Sequence, residues 1–186
     1  MKTVYVIHGF EANPASHWFP WLKLQLNRRS VQAQVLSMPH PSDPQLDEWV
    51  GHLQAKVVSA PANTYFVAHS LGCVMLLAYL AQHPPKTPFA GMVLVSGFYE
   101  YIPQFPALAP LADHVFDFPA LQDSVRQRVC VASSNDTIVP PEYSLRLAQK
   151  MNARHCLIDN GGHFTQHEGF SKLPLVNQLL QEMMTD

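Results

Sequence analysis

Short apolar runs recur along the chain at residues 3–8, 33–37, 64–69, 91–96, 128–134 and 154–159, each rich in β-branched or aromatic side chains. Several are nearly continuous in apolar character rather than alternating. That pattern predicts strands covered on both faces, as in a parallel sheet. Between them, apolar positions at helical spacing predict helices over 18–29, 45–59, 70–82 and 141–151, with a last one near 170–184. Strands alternating with helices imply right-handed βαβ crossovers. The expected fold class is therefore α/β: three layers, α/β/α, around an open, mostly parallel six-stranded sheet. Prolines punctuate the pattern: Pro39, Pro41 and Pro44 part strand from helix, Pro84, Pro85 and Pro88 follow the third helix, and Pro140-Pro141 open the next.

Composition narrows the reading. At 186 residues, 47% hydrophobic and 14% charged, the chain suits one well-buried core, so a single domain over residues 1–186 is expected. A net charge of -2 supplies no basic field to gather nucleic acid or an anionic membrane, and neither is expected as a partner. The N-terminal apolar run is too short for a signal-peptide core and reads as the first strand, and no run approaches the ~20 apolar residues of a membrane span. Cys73, Cys130 and Cys156 form no C-x-x-C pair and are odd in number. They are expected to be reduced packing residues of a cytoplasmic protein.

The chemistry centres on Ala68-His69-Ser70-Leu71-Gly72, with the strand-like Thr64-Tyr65-Phe66-Val67 before it and an apolar helical run from Cys73 to Leu80 after it. This is the pattern of a nucleophile elbow. A serine hydroxyl is a poor nucleophile unless a sharp strand-to-helix turn exposes it to a histidine base and to backbone N–H groups that can receive an oxyanion. Small residues two before and two after the serine permit the turn. Gly72 meets that requirement, and Ala68 stands where glycine is usual. The bland alternative for Ser70 is an ordinary helix N-cap.

Two later loops supply partners. Asp136 follows the strand ending at Ser134, and His163 follows the last strand and Gly161-Gly162. The order Ser, Asp, His is that of the α/β-hydrolases, and each candidate lies just past a strand's C-terminal end, where open parallel sheets gather their active-site groups. Rivals exist. His167 competes with His163 among ten histidines, and Asp159 competes with Asp136, although it can equally bond the backbone of the histidine loop. His163 and His167, with Glu168, could suggest an i, i+4 metal pair, but Gly161-Gly162 precede it and no third ligand and no H-E-x-x-H is evident, so no metal is expected. No nucleotide-binding glycine motif is present, and no cofactor is expected.

Taken together, His8-Gly9-Phe10, His17-Trp18, Trp21-Leu22, the Ser70 pentapeptide, Asp136 with Val139-Pro140, and Gly162-His163-Phe164 resemble the small, nearly lidless α/β-hydrolases related to retinoblastoma-binding protein 9. The resemblance spans essentially the whole chain. It implies a minimal α/β-hydrolase fold with Ser70, Asp136 and His163 as catalytic triad, acting on small ester, thioester or amide substrates through an acyl-enzyme. The backbone N–H groups of Leu71 and Phe10 are the expected oxyanion hole. His8, His69, Phe98, Tyr99 and Phe164 are the expected substrate-binding residues, although His8 and His69 can also be read as satisfying core hydrogen bonds.

The connection from Gly97 to Leu121 breaks the regularity with Phe98, Tyr99, Tyr101, Phe105, Phe116 and Phe118 set among prolines. It is too short for a lid domain. Its rings can wall an acyl pocket or merely pack the crossover onto the sheet. Besides hydrolysis, two other functions remain open: a protein-interaction module on a hydrolase scaffold, and acyl transfer to an acceptor other than water by the same triad.

Overall fold

A computed structural model of the protein describes residues 1–106, 111 and 115–185. Six strands, β1 (Thr3–Ile7), β2 (Gln32–Val35), β3 (Thr64–His69), β4 (Phe89–Val95), β5 (Val125–Ser133) and β6 (Arg154–Ile158), form one sheet in the order β2-β1-β3-β4-β5-β6. Every pairing is parallel. The helices are α1 (Phe19–Asn27), α2 (Leu46–Lys56), α3 (Leu71–Gln82), α4 (Phe118–Ser124), α5 (Pro141–Lys150) and α6 (Pro174–Thr185). This is the minimal α/β-hydrolase architecture. The parts of the 97–121 connection at 107–110 and 112–114 lie outside the described residues.

Side-chain alternation explains why the strands read as continuous apolar runs. Tyr5, Ile7, Phe66, Ala68, Met92, Leu94 and Cys130 point to one face, where Trp49 and Leu53 of α2, all of inner α3 and Leu147 of α5 cover them. Val4, Val6, Val67, Val93, Val95, Val129 and Val131 point to the other, under Phe19 and Leu22 of α1 and Val176, Leu179 and Leu180 of α6. Both faces of the central strands are therefore dry, whereas edge strand β6 leaves Leu157 exposed. Helix α3 is buried at ten consecutive positions from Leu71 to Leu80, because it is enclosed by the sheet and its neighbouring helices.

Boundaries shift where proline or turn geometry overrides periodicity. The last helix begins at Pro174 rather than near 170, since the residue before a proline is steered away from helical backbone and Gly169 takes a left-handed φ of 90°. Helix α2 ends at Lys56, before Pro61 opens a short 3-10 turn, Pro61–Asn63. Strand β5 starts as early as Val125, paired with Phe89.

The chain departs from β1 to β2 on one side and returns to β3 on the other. The C-terminal ends of β1 and β3 thus flank the point where the strand order reverses, the usual place for a site in an open parallel sheet. Gly9 and Ser70 lie just past those two ends.

Candidate active site

Ser70 joins β3 to α3 with φ 54° and ψ -124°, a backbone region that costs a non-glycine residue on the order of 1–3 kcal/mol. Packing holds it there. The Ser70 N–H donates to the Val95 carbonyl of β4 at 2.9 Å. A Cβ on Gly72 would stand 2.6 Å from the His8 carbonyl oxygen and 2.7 Å from that of Ile7, so the first turn of α3 presses directly on the end of β1. The methyl of Ala68 is absorbed in the core without opening the turn. The Ser70 side chain does not cap α3.

The loop after β1 closes on the elbow from the other side. A Cβ on Gly9 would meet the Ser70 Cβ at 3.0 Å. The next N–H, that of Phe10, has no acceptor among the described residues. The Leu71 N–H opens helix α3, where first-turn donors have no intrahelical partner. Both expected oxyanion donors are thus uncommitted beside the serine.

Asp136, 5% exposed, sits in the turn after β5. Its Oδ1 accepts from the N–H groups of Ile138 and Val139, each at 2.9 Å, and its Oδ2 accepts from Ser96 Oγ at 2.8 Å. His163 Nδ1 lies 2.9 Å from Oδ2 and 3.1 Å from Oδ1. A carboxylate only accepts, so Nδ1 carries the proton and the Nε2 lone pair is left for chemistry.

The loop bearing His163 is fastened at both ends. Ser133 Oγ accepts from the Gly161 N–H at 2.7 Å, and Asn135 Oδ1 from the Gly162 N–H at 2.8 Å. The Glu168 carboxylate accepts from the His163 N–H, the Thr165 N–H and Thr165 Oγ1. Those donors hold its carboxyl below the usual range even though partial burial works the other way. The His163 carbonyl accepts from His69 Nε2 at 2.9 Å. The rings of His69 and His163 stand 4.9 Å apart.

Three residues expected to bind substrate are buried. His8 is 1% exposed, donating from Nδ1 to the Gly9 carbonyl and accepting the Met38 N–H at Nε2, so it ties two loops together. His69 is 2% exposed and occupied with His163. Phe164 has no exposed surface and packs on Phe170 in the core under α1 and α6. Phe98 is likewise buried, and Tyr99 is half-buried with its ring edge-on to Phe118 at 4.9 Å. The rings that the structure describes in this connection mostly pack the crossover onto the core, with Tyr101 exposed.

Of the rivals, His167 is exposed on the 3-10 turn Gln166–Glu168, and Asp159 is exposed with no hydrogen bond or ion pair among the described residues. The loop's backbone is held instead by Ser133, Ser134, Asn135 and Glu168. Sequence reading gave no role to Ser96 or Asn135 and weighed Glu168 only beside a His163–His167 metal pair that it set aside. The one local signal was Thr165-x-x-Glu168, the spacing of a capping box, which the structure contains. His17 was also overlooked as an anchor: its N–H donates to Gln166 Oε1 at 3.0 Å and its Nδ1 accepts the Gln166 N–H at 3.2 Å.

Comparison with known proteins supplies the family. The protein YdeN of Bacillus subtilis is 40% identical over 179 residues, spanning 96% of this chain and 94% of its own. The crystal structure of the ydeN gene product from B. subtilis superposes with a TM-score of 0.98 at 39% identity, covering all of both chains. Est1E from Butyrivibrio proteoclasticus, 15% identical with a TM-score of 0.74 over 100% of this chain and 89% of its own, shares the fold. A serine hydrolase family model matches residues 4–182. With that match over nearly its full length and a relative at this level of identity, the chain belongs to the serine hydrolase family and is a hydrolase.

Proposed function

We propose that the protein cleaves small ester, thioester or amide substrates, with Ser70 as nucleophile, His163 as general base and acid, and Asp136 as the group that orients the imidazole. The observation that carries this reading is the 2.9 Å contact between Asp136 and His163 Nδ1, set at the strand ends beside a serine in a strained elbow. With Nδ1 committed, Nε2 takes the Ser70 proton as Oγ attacks the carbonyl carbon. The N–H groups of Leu71 and Phe10 receive the oxyanion. Collapse of the tetrahedral intermediate expels the leaving group, which takes the proton from His163. Water, deprotonated by the same nitrogen, then releases the acid and restores Ser70.

The exposed ring of Phe10, next to the Gly9 that packs on Ser70, suits short or aromatic acyl groups. No helix among the described residues is long and apolar enough to cross a membrane. Three unpaired cysteines, two of them buried, support a reducing cytoplasm as the place of action. Labelling with a fluorophosphonate tests the reading most directly. The unmutated protein should be modified at Ser70 and Ser70→Ala should not; modification of both proteins alike, or of neither, overturns the assignment.

A further inference from the structure

We propose that His69, the residue before the elbow serine, is a positioning residue that holds the peptide of His163 in place as a fixed neutral tautomer with its proton on Nε2. The inference rests on the reading of His163 as the base. A carbonyl oxygen can only accept, so the 2.9 Å contact from His69 Nε2 to the His163 carbonyl requires a proton on Nε2. The ring has no freedom to do otherwise. It is 2% exposed and walled by His163 at 4.9 Å, His17 at 5.5 Å, Phe19 at 6.0 Å and Trp18 at 6.1 Å between ring centroids.

The second ring nitrogen fits the same tautomer. Nδ1 is enclosed and has no partner among the described residues, which is tolerable for a lone pair beside aromatic rings and costly for an N–H. Trp18, on the wall, brings only another enclosed donor, Nε1. Complete burial, with His163 and His17 alongside, pushes the His69 imidazolium well below the ordinary histidine range, and His8 adds to this; only the bond to the His163 carbonyl opposes it. His69 therefore stays neutral while its neighbour gains and loses a proton, and adds no opposing charge to the His163 imidazolium.

His163 is consequently held at three points by three separate elements. Asp136 takes its ring, Glu168 its N–H and His69 its carbonyl. Because His69 adjoins Ser70 in sequence, the third point couples the position of the base directly to that of the nucleophile. A shift of the base by about 1 Å is enough to cost on the order of 100-fold in rate.

Nitrogen-resolved NMR of the histidine rings in the unmutated protein should show His69 as the Nε2–H tautomer, unchanged from pH 5.5 to 8.5. A His69 signal that titrates in that range, or that reports the Nδ1–H tautomer, overturns the proposal whatever the function of the site. His69→Phe, which keeps the ring but cannot donate, should slow fluorophosphonate labelling of Ser70 by about 10- to 100-fold. It should lower kcat for p-nitrophenyl acetate by a similar factor, with KM within about twofold. His69→Gln, whose amide can donate to the same carbonyl, should recover most of the loss. Wild-type labelling in His69→Phe, with Ser70→Ala inert, refutes the positioning role while leaving the nucleophile intact. Labelling that persists in Ser70→Ala refutes the reading of the site itself.

Discussion

A Cβ atom added to Gly162 would stand 2.2 Å from Oε1 of Glu168. Gly162 also takes φ 53°, a conformation costing a residue with a side chain about 1–2 kcal/mol. The carboxylate that secures the His163 N–H thus occupies the space a methyl group on Gly162 would need, so a side chain there must push Glu168 aside. Gly162→Ala should destabilise the protein on the order of 3 kcal/mol, by backbone strain together with weakening of the charge-assisted bonds to Glu168. Urea unfolding measures the loss. Turnover should fall more than stability alone explains, because His163 moves with the loop.

Removal of the nucleophile should separate chemistry from folding. Ser70 is half-buried and its side chain caps no helix, so Ser70→Ala should abolish turnover and leave the thermal midpoint nearly unchanged. His163→Ala should be comparably inactive, whereas His167→Ala, at an exposed position, should retain most activity. A reversal of the two histidine results would transfer the base to His167.

Asp136 and Asp159 give opposite expectations. Asp136→Asn keeps the shape but leaves the His163 tautomer unsupported, for a loss of up to about 10⁴ in kcat by analogy with other triads. Asp159→Asn alters an exposed side chain without partners and should be near neutral. Ser96→Ala removes one of the donors on Asp136 and should fall between them. Steady-state kinetics on one ester, ordered across the three variants, checks the set.

Acid should loosen the loop before it unfolds the sheet. Partial burial, with His163 and His167 nearby, lowers His17 from 6.5 to about 4. Between those values the unfolded chain binds a proton that the folded one refuses, so His17 contributes stability above 6.5 that is lost as the pH falls towards 4. His8, His52, His69 and His155 are lowered too and act in the same direction. Protonated His17 also cannot accept the Gln166 N–H. The urea midpoint should drop across this window, and less steeply in His17→Asn, which tolerates the left-handed backbone found there and does not titrate. Equal slopes would remove His17 from the account.

Substrate size should follow from the short connection between β4 and β5. Each methylene gains roughly 0.8 kcal/mol only while protein covers it, so kcat/KM for a series of acyl esters should rise over the first few carbons and then level off or fall. A steady rise to palmitoyl, measured below micelle formation, would reveal a deep channel.

The architecture was legible in the sequence because each strand announces itself locally: Thr3–Ile7, Thr64–His69 and Phe89–Val95 are apolar on both faces and are bounded by turn residues. Ser70, Asp136 and His163 could be singled out for a similar reason, since each follows a strand and the Ser70 turn demands small neighbours at fixed offsets. Helix ends were less legible, as at Pro174, where one proline outweighed several apolar positions.

What only the tertiary structure decided is which residues serve those three. Ser96 reaches Asp136 across 40 positions, and His69 reaches the His163 carbonyl across 94. Neither partnership leaves a periodic or spaced pattern, because it depends on which strands lie side by side. The same holds for His8 and Phe164, whose types suit a substrate pocket but whose side chains the fold buries. A sequence records the preferences of a residue for its neighbours along the chain; the sheet order β2-β1-β3-β4-β5-β6 determines which distant neighbours it meets.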